Sequence, residues 1–234
     1  MGLHFDYDSM VGSNEVFKDR ETGSKWQQTL STATSGPLKG THLDIYPFLL
    51  TQWGEWRKQH PDTLVLKPLP GYAERMPGMN KFISQQWSIG ISDTRPAPPG
   101  AIGHDTRLGP REIILGLQVS GGDKAYPLSA LRKERVINDR VSGTPVVVVH
   151  QPASDTTTAF DSTLKGRVLQ FQAADAEADR LVDLETHSTW SAYGLCTSGR
   201  LKGSQLKPLT MEPEFWFAWT EFRPKTEVYG VPTR

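Results

Sequence analysis

Only one cysteine, Cys196, occurs in the chain, which excludes an internal disulfide and any metal site built from several thiolates. That scarcity does not identify a redox compartment. No apolar run approaches the ~20 residues of a membrane-spanning helix, so no membrane insertion is expected. The opening MGLHFDYDSM lacks the basic start and apolar stretch of a signal peptide. Gly2 has the position of an N-myristoylation site, but Phe5 and Tyr7 lie in a strand-like stretch, which weighs against it. Neither sign of charge dominates: 26 Lys and Arg face 26 Asp and Glu, without a basic run, which argues against nucleic acid as a partner. There is no HExxH, no GxSxG, no phosphate-binding glycine loop and no paired-cysteine signature. No motif therefore fixes a reaction, and the sequence leaves open whether the chain is an enzyme.

Seven tryptophans, 17 prolines and 21 glycines point to many turns and a strand-rich core. The chain also repeats itself. DRETGSKW (19–26) returns as DLETHSTW (183–190), and TSGPLKG (34–40) as TSGRLKG (197–203). Leu43, Trp53, Trp56, Pro61, Thr63 and Val65 match Leu206, Trp216, Trp219, Pro224, Thr226 and Val228. About seventeen identities fall within some forty-five positions, at offsets of 164 and then 163, which indicates a duplicated structural unit. The second copy extends upstream to about Asp123, and subtracting 163 from that stretch gives numbers below one. The chain is thus expected to begin partway through its first repeat, without about forty residues that the symmetry calls for; either the unit closes differently or the chain is a shortened member of a longer design. Three parts are expected within one compact unit: 1–66 as the later part of the first repeat, 67–111 as a Pro- and Gly-rich connector, and 112–234 as the complete second repeat.

Short β-branched or aromatic runs closed by Gly, Asp or Asn predict strands and hairpins. REIILGLQV turns through Gly121-Gly122-Asp123 into KAYPL; RVIND turns into PVVVVH; TTTAFD and RVLQFQ form a third hairpin with Gly166 at its turn. Helices are expected over 51–60 and 214–222, each carrying a pair of tryptophans that stoppers its lobe, with strands resuming at TLVL (63–66) and TEVY (226–229). The expected class is mainly β with a few short helices, a β-rich α+β fold of two pseudo-symmetric lobes with the first repeat incomplete.

Several motifs together carry a resemblance: AYPL (125–128), VIND (136–139), GTPVVV (143–148), AFD (159–161), the two DxETxSxW octets, GPLKG (36–40) and FWFAW (215–219). They resemble an uncharacterised prokaryotic domain-of-unknown-function family with two internal repeats. DTRL (105–108) followed by REIILGL is similar to that family's inter-repeat stretch. The resemblance implies an exported or membrane-anchored setting, hence a periplasmic or extracellular location, and no activity. Relatives place a Cys-Pro-Leu-Cys stretch after the apolar strand of the first repeat, whereas the matching place in the second copy here reads Gln151-Pro152-Ala153-Ser154. If the family's chemistry is thiol chemistry, this chain is not expected to perform it.

Candidate site residues follow from position. His150 ends the apolar strand PVVVV, and Pro152 forces a turn after it. Asp161 returns on the next segment, so an imidazole and a carboxylate are expected to share a cleft and to hold a metal or move a proton. Asn138 and Asp139 end another strand. Asp19, Ser24, Asp183 and Ser188 sit in the octets, which read first as turn chemistry duplicated with the fold. His60 caps a helix end, His187 is a turn residue, His104 lies in the connector, and Cys196 falls opposite Ala33 as a packing position. No cofactor is required by the sequence, and a bound transition metal is left open.

Two classes remain: a non-enzymatic binding or interaction module, which is favoured, and a metal-assisted enzyme around His150 and Asp161. The missing strands predict an exposed edge or apolar patch near 3–18, and self-association or a partner that completes the first repeat.

Overall fold

The computed structural model describes residues 2–67, 105–176 and 178–232, together with 71, 74, 76–78, 81, 95–98 and 101. Most of the connector expected over 67–111, with His104, lies outside these residues. The fold is mainly β.

Strands β1 (Phe5–Val11), β2 (Asn14–Asp19), β3 (Lys25–Gln27) and β4 (Thr32–Ser35) form an antiparallel meander. A second meander of the same kind follows far along the chain: β12 (Phe171–Ala173), β13 (Arg180–Asp183), β14 (Thr189–Ser191) and β15 (Cys196–Ser198). Between and after them, β5 (Ile113–Val119), β6 (Gly122–Pro127), β17 (Met211–Phe215) and β18 (Glu227–Val228) form a sheet ordered β17-β5-β6-β18. Strands β7 (Val136–Val141), β8 (Thr144–Gln151), β9 (Thr156–Asp161) and β16 (Lys207–Leu209) form another, ordered β16-β9-β8-β7.

The four valines of β8 explain the layering. A strand shows alternate residues to opposite faces, so a continuous apolar run means burial on both. Val146 and Val148 meet Ile113, Leu115 and Leu117 of β5, whereas Val147 and Val149 meet Phe171, Leu181 and Trp190 of the second meander. Residues Ile114 and Ala125 on the outer face of the β5-β6 sheet carry helix α3 (Trp216–Phe222) through Trp216 and Trp219. Gly116 makes this seat possible: a Cβ there would lie 2.2 Å from the Trp219 ring.

Several expectations are corrected. TTTAFD does not pair with RVLQFQ; β9 lies between β8 and β16, and the hairpin at Gly166 is only the two-residue strands β10 (Thr163–Leu164) and β11 (Arg167–Val168). The alternating apolar register of β9 makes β8 its better partner, since both faces are then covered. A helix α2 (Leu128–Glu134) follows Pro127 where no helix was expected; Leu128 and Leu131, three apart, anchor it in the core. Helix α1 (Trp53–Gln59) forms, but none of its residues is buried, so it stoppers no lobe. TLVL (63–66) forms no strand: it pairs with no strand among the described residues.

Candidate functional site

The octets fold alike. In the first, the Asp19 carboxylate accepts from the Thr22 backbone N–H and hydroxyl at 2.5 and 2.9 Å and from Trp26 Nε1 at 2.8 Å. In the second, Asp183 accepts from Thr186 at 2.6 and 2.9 Å and from Trp190 Nε1 at 2.9 Å. Ser24 Oγ accepts from Leu38 N, and Ser188 Oγ from Leu201 N. Gly36 and Gly199, both at positive φ, press on Ser24 and Ser188 where a side chain would collide. Burial drives the Asp19 carboxyl upward, but the bonds from Trp26 and Thr22 outweigh it and hold it below the usual carboxylate range. Asp19, Ser24, Asp183 and Ser188 are all fully buried and bonded to their own turns. Their geometry fixes the turn and the tryptophan, and leaves no surface to a ligand.

Asn138 and Asp139 are tied down as well. The Asn138 amide donates to the Phe171 carbonyl and accepts from the Phe171 N–H, both at 2.8 Å, which clips β7 to β12. Asp139 accepts from the Tyr126 hydroxyl at 2.9 Å and pairs with Lys124 at 2.8 Å.

The structure separates His150 from Asp161. In the β8–β9 ladder His150 faces Thr157, and Asp161 faces Val146. Four residue steps along the strand separate them, about 13 Å at the ordinary rise. His150 instead bonds Thr157 Oγ1 through Nδ1 at 3.0 Å and lies 3.4 Å from Asp155 through Nε2. Arg132 grips Asp155 from the other side, with its Nε 2.9 Å from the carboxylate. Burial pushes the imidazole below its ordinary value; Asp155 opposes this, and Arg132 and Arg135 reinforce it. A neutral, sealed histidine results, which braces the turn at Pro152. Asp161 accepts from the Thr163 N–H at 2.8 Å at the other end of the hairpin. Among the described residues, no three His, Cys, Asp or Glu side chains are grouped to hold a metal ion.

An open site does exist beside this hairpin. A groove of about 520 Å³ runs along β9 from Thr157 to Phe160. Phe48 and Trp56 form one wall; Phe160, Tyr193, Leu209 and Met211 form the other. Its lining is mostly apolar, and Thr157 joins it to His150. Burial raises the Tyr193 phenol above its ordinary value, which keeps it a neutral hydrogen-bonding group. A concave apolar surface with a few hydroxyls has the usual make-up of a binding site. Sequence reasoning missed these residues because four separated stretches supply them. The apolar run IYPFLL (45–50), unassigned to any element, was the one local signal.

A family model described as a protein of unknown function (DUF3179) matches residues 4–226. No curated protein and no solved structure matches.

Proposed function

The chain belongs to the DUF3179 family, whose description carries no activity, and we propose that it is a binding or interaction module built on duplicated β lobes. The observation that carries this reading is the apolar groove between Phe48 and Trp56 on one side and β9 and β16 on the other. The polar residues singled out in the sequence are bonded to other groups of the fold, although Asn138 and Asp139 also line a smaller, more polar pocket of about 320 Å³. The groove along β9 is mostly apolar, and such a surface binds by excluding water rather than by moving protons. A metal-assisted enzyme around His150 and Asp161 has less support, since those residues stand at opposite ends of a hairpin. A setting outside the cytoplasm is part of this proposal, and its support is the motif resemblance alone.

An apolar fluorescent dye titrated into the purified chain tests this. The expected result is saturable binding, weakened at least tenfold by Tyr193→Ala or Leu209→Ala, with thermal unfolding still cooperative, and unchanged by Asp161→Ala. Binding indifferent to both groove substitutions would sink the proposal. So would a stoichiometric transition metal in the purified protein that disappears with His150→Ala.

A further inference from the structure

The two meanders fold alike and are held to the rest of the molecule differently. The second meander places Phe171, Leu181, Trp190 and Cys196 in one hydrophobic cluster with Val147 and Val149 of β8. The first meander buries Val16, Trp26 and Ala33, and among the described residues none of them joins a hydrophobic cluster of the sheets. A polar seam ties it to β17 and α3 instead. The Thr29 hydroxyl, just after β3, donates to Glu214 Oε1 of β17 at 2.8 Å. The Thr29 carbonyl accepts from Arg223, just past α3, at 2.9 Å. Glu221 of α3 lies against the β1–β2 turn, where Gly12 leaves its carboxyl the room that a side chain would fill.

This seam is buried and incompletely bonded. Gln27, Thr29 and Arg223 are each at most 5% exposed. Glu214 Oε2, Glu221 Oε2, Gln27 Nε2 and Arg223 Nε are buried without a hydrogen-bond partner. A buried carboxylate oxygen that lacks a donor is costly, and the cost falls when the carboxyl carries a proton. The groups around Glu214 come from every element of the seam. Glu212 shares its strand, Arg223 follows α3, and Asp123 of β6 lies 3.5 Å from Arg223 Nε. Arg223 is the cation that acts on both Glu212 and Glu214, and Asp123 competes for it. The first meander presents Thr29 and Gln27, which do not titrate. Burial raises the carboxyls of Glu212 and Glu214 above their ordinary value, and Arg223 opposes it.

We propose that the first meander is a pH-gated latch, docked on β17 and α3 while the Glu214 carboxyl is protonated and detached from them when that carboxyl ionises. The docked form holds the proton more tightly than the detached form, in which Glu214 meets water. Docking is fully favoured below the ordinary value of 4.5 and weakens as pH rises to about 7. The meander detaches as a folded unit, because its ladder and the Asp19–Trp26 bond lie within it. The second meander has no such gate, since its attachment to β8 is apolar.

Segment-resolved amide exchange on the full chain, from pH 5 to pH 8, tests the latch against Glu214→Gln. The ratio of parent to variant rates at each pH cancels the intrinsic pH dependence of exchange. In residues 27–31 that ratio should rise at least tenfold between pH 5 and pH 8. Residues 144–151 should stay at least a hundredfold better protected than 27–31 throughout. Glu212→Gln leaves Glu214 in place and removes a charge that raises it, so the rise should move to lower pH; this variant carries the test even where Glu214→Gln does not fold. A flat ratio would overturn the proposal, as would a rise that Glu212→Gln does not move. Exchange of 27–31 and 144–151 in one common event would overturn it too, by making the pH dependence that of global unfolding.

Discussion

The Asp183 carboxylate holds the Thr186 backbone and hydroxyl, the Ser188 N–H and the Trp190 indole N–H. Removing it leaves buried donors without an acceptor, and a hydrogen bond to a charged group contributes about 1.5–3 kcal/mol. Asp183→Ala should therefore lower stability by at least about 2 kcal/mol in urea unfolding, without changing dye binding in the groove. The tryptophans give a second comparison. Trp219 is fully buried on the β5-β6 sheet, so Trp219→Ala should cost about 3–5 kcal/mol. Trp53 is its neighbour's counterpart in the repeat and is exposed, so Trp53→Ala should stay within about 0.5 kcal/mol. Equal losses at the two positions would mean that Trp53 is covered after all. The octets were legible in the sequence because a turn is local: Asp, Thr, Ser and Trp at fixed spacing specify it. The isolation of His150 from Asp161 was not, since the distance between them depends on ladder register, and one residue of register moves a strand by a whole face.

At the scale of elements, β17 brings a buried charge to the boundary with the first meander. Glu214 accepts from the Thr29 hydroxyl at 2.8 Å, and Arg223 donates to the Thr29 carbonyl at 2.9 Å. Burial raises the Glu214 carboxyl to about 7; the Thr29 bond lowers it, Glu212 raises it and Arg223 lowers it. The folded chain then holds a proton that the unfolded chain, at an ordinary 4.5, has lost. This group's stabilising contribution is present below the unfolded value and is lost as pH rises from 4.5 to about 7. Across that window Glu214→Gln should remove a decline on the order of 2 kcal/mol relative to the parent chain. An unchanged pH profile in that variant would show that Glu214 ionises normally. The elements themselves were legible where both faces or one face followed a period: β5, β8 and α3 have that pattern. Helix α2 was obscured by AYPL, which begins as strand and ends as the first turn of the helix. TLVL has strand composition and forms no strand, because composition supplies the residues but not the neighbouring edge.

In the whole molecule, nearly the same sequence stands in two environments. Residues 206–229 pair as strands with β5, β6 and β9, whereas residues 43–66 have the same helix and the same Trp-to-Thr bond but make no strand pairing among the described residues. The sequence identities at offsets of 164 and 163 led to the expectation of an exposed edge near 3–18. Phe5, Tyr7, Met10 and Val11 of β1 are exposed, and so are Ile45, Tyr46, Phe48, Leu64, Val65 and Leu66. The groove was not legible, since its walls come from residues 47–56, 157–160, 193 and 208–211, which only the folded chain brings together. Amide hydrogen exchange on the chain alone, resolved by segment, tests the central claim most directly. The account predicts slow exchange in 211–215 and 227–228, where strand hydrogen bonds are made, and exchange faster by at least a hundredfold in 48–52 and 64–65. Equal protection of 211–215 and 48–52 would contradict it.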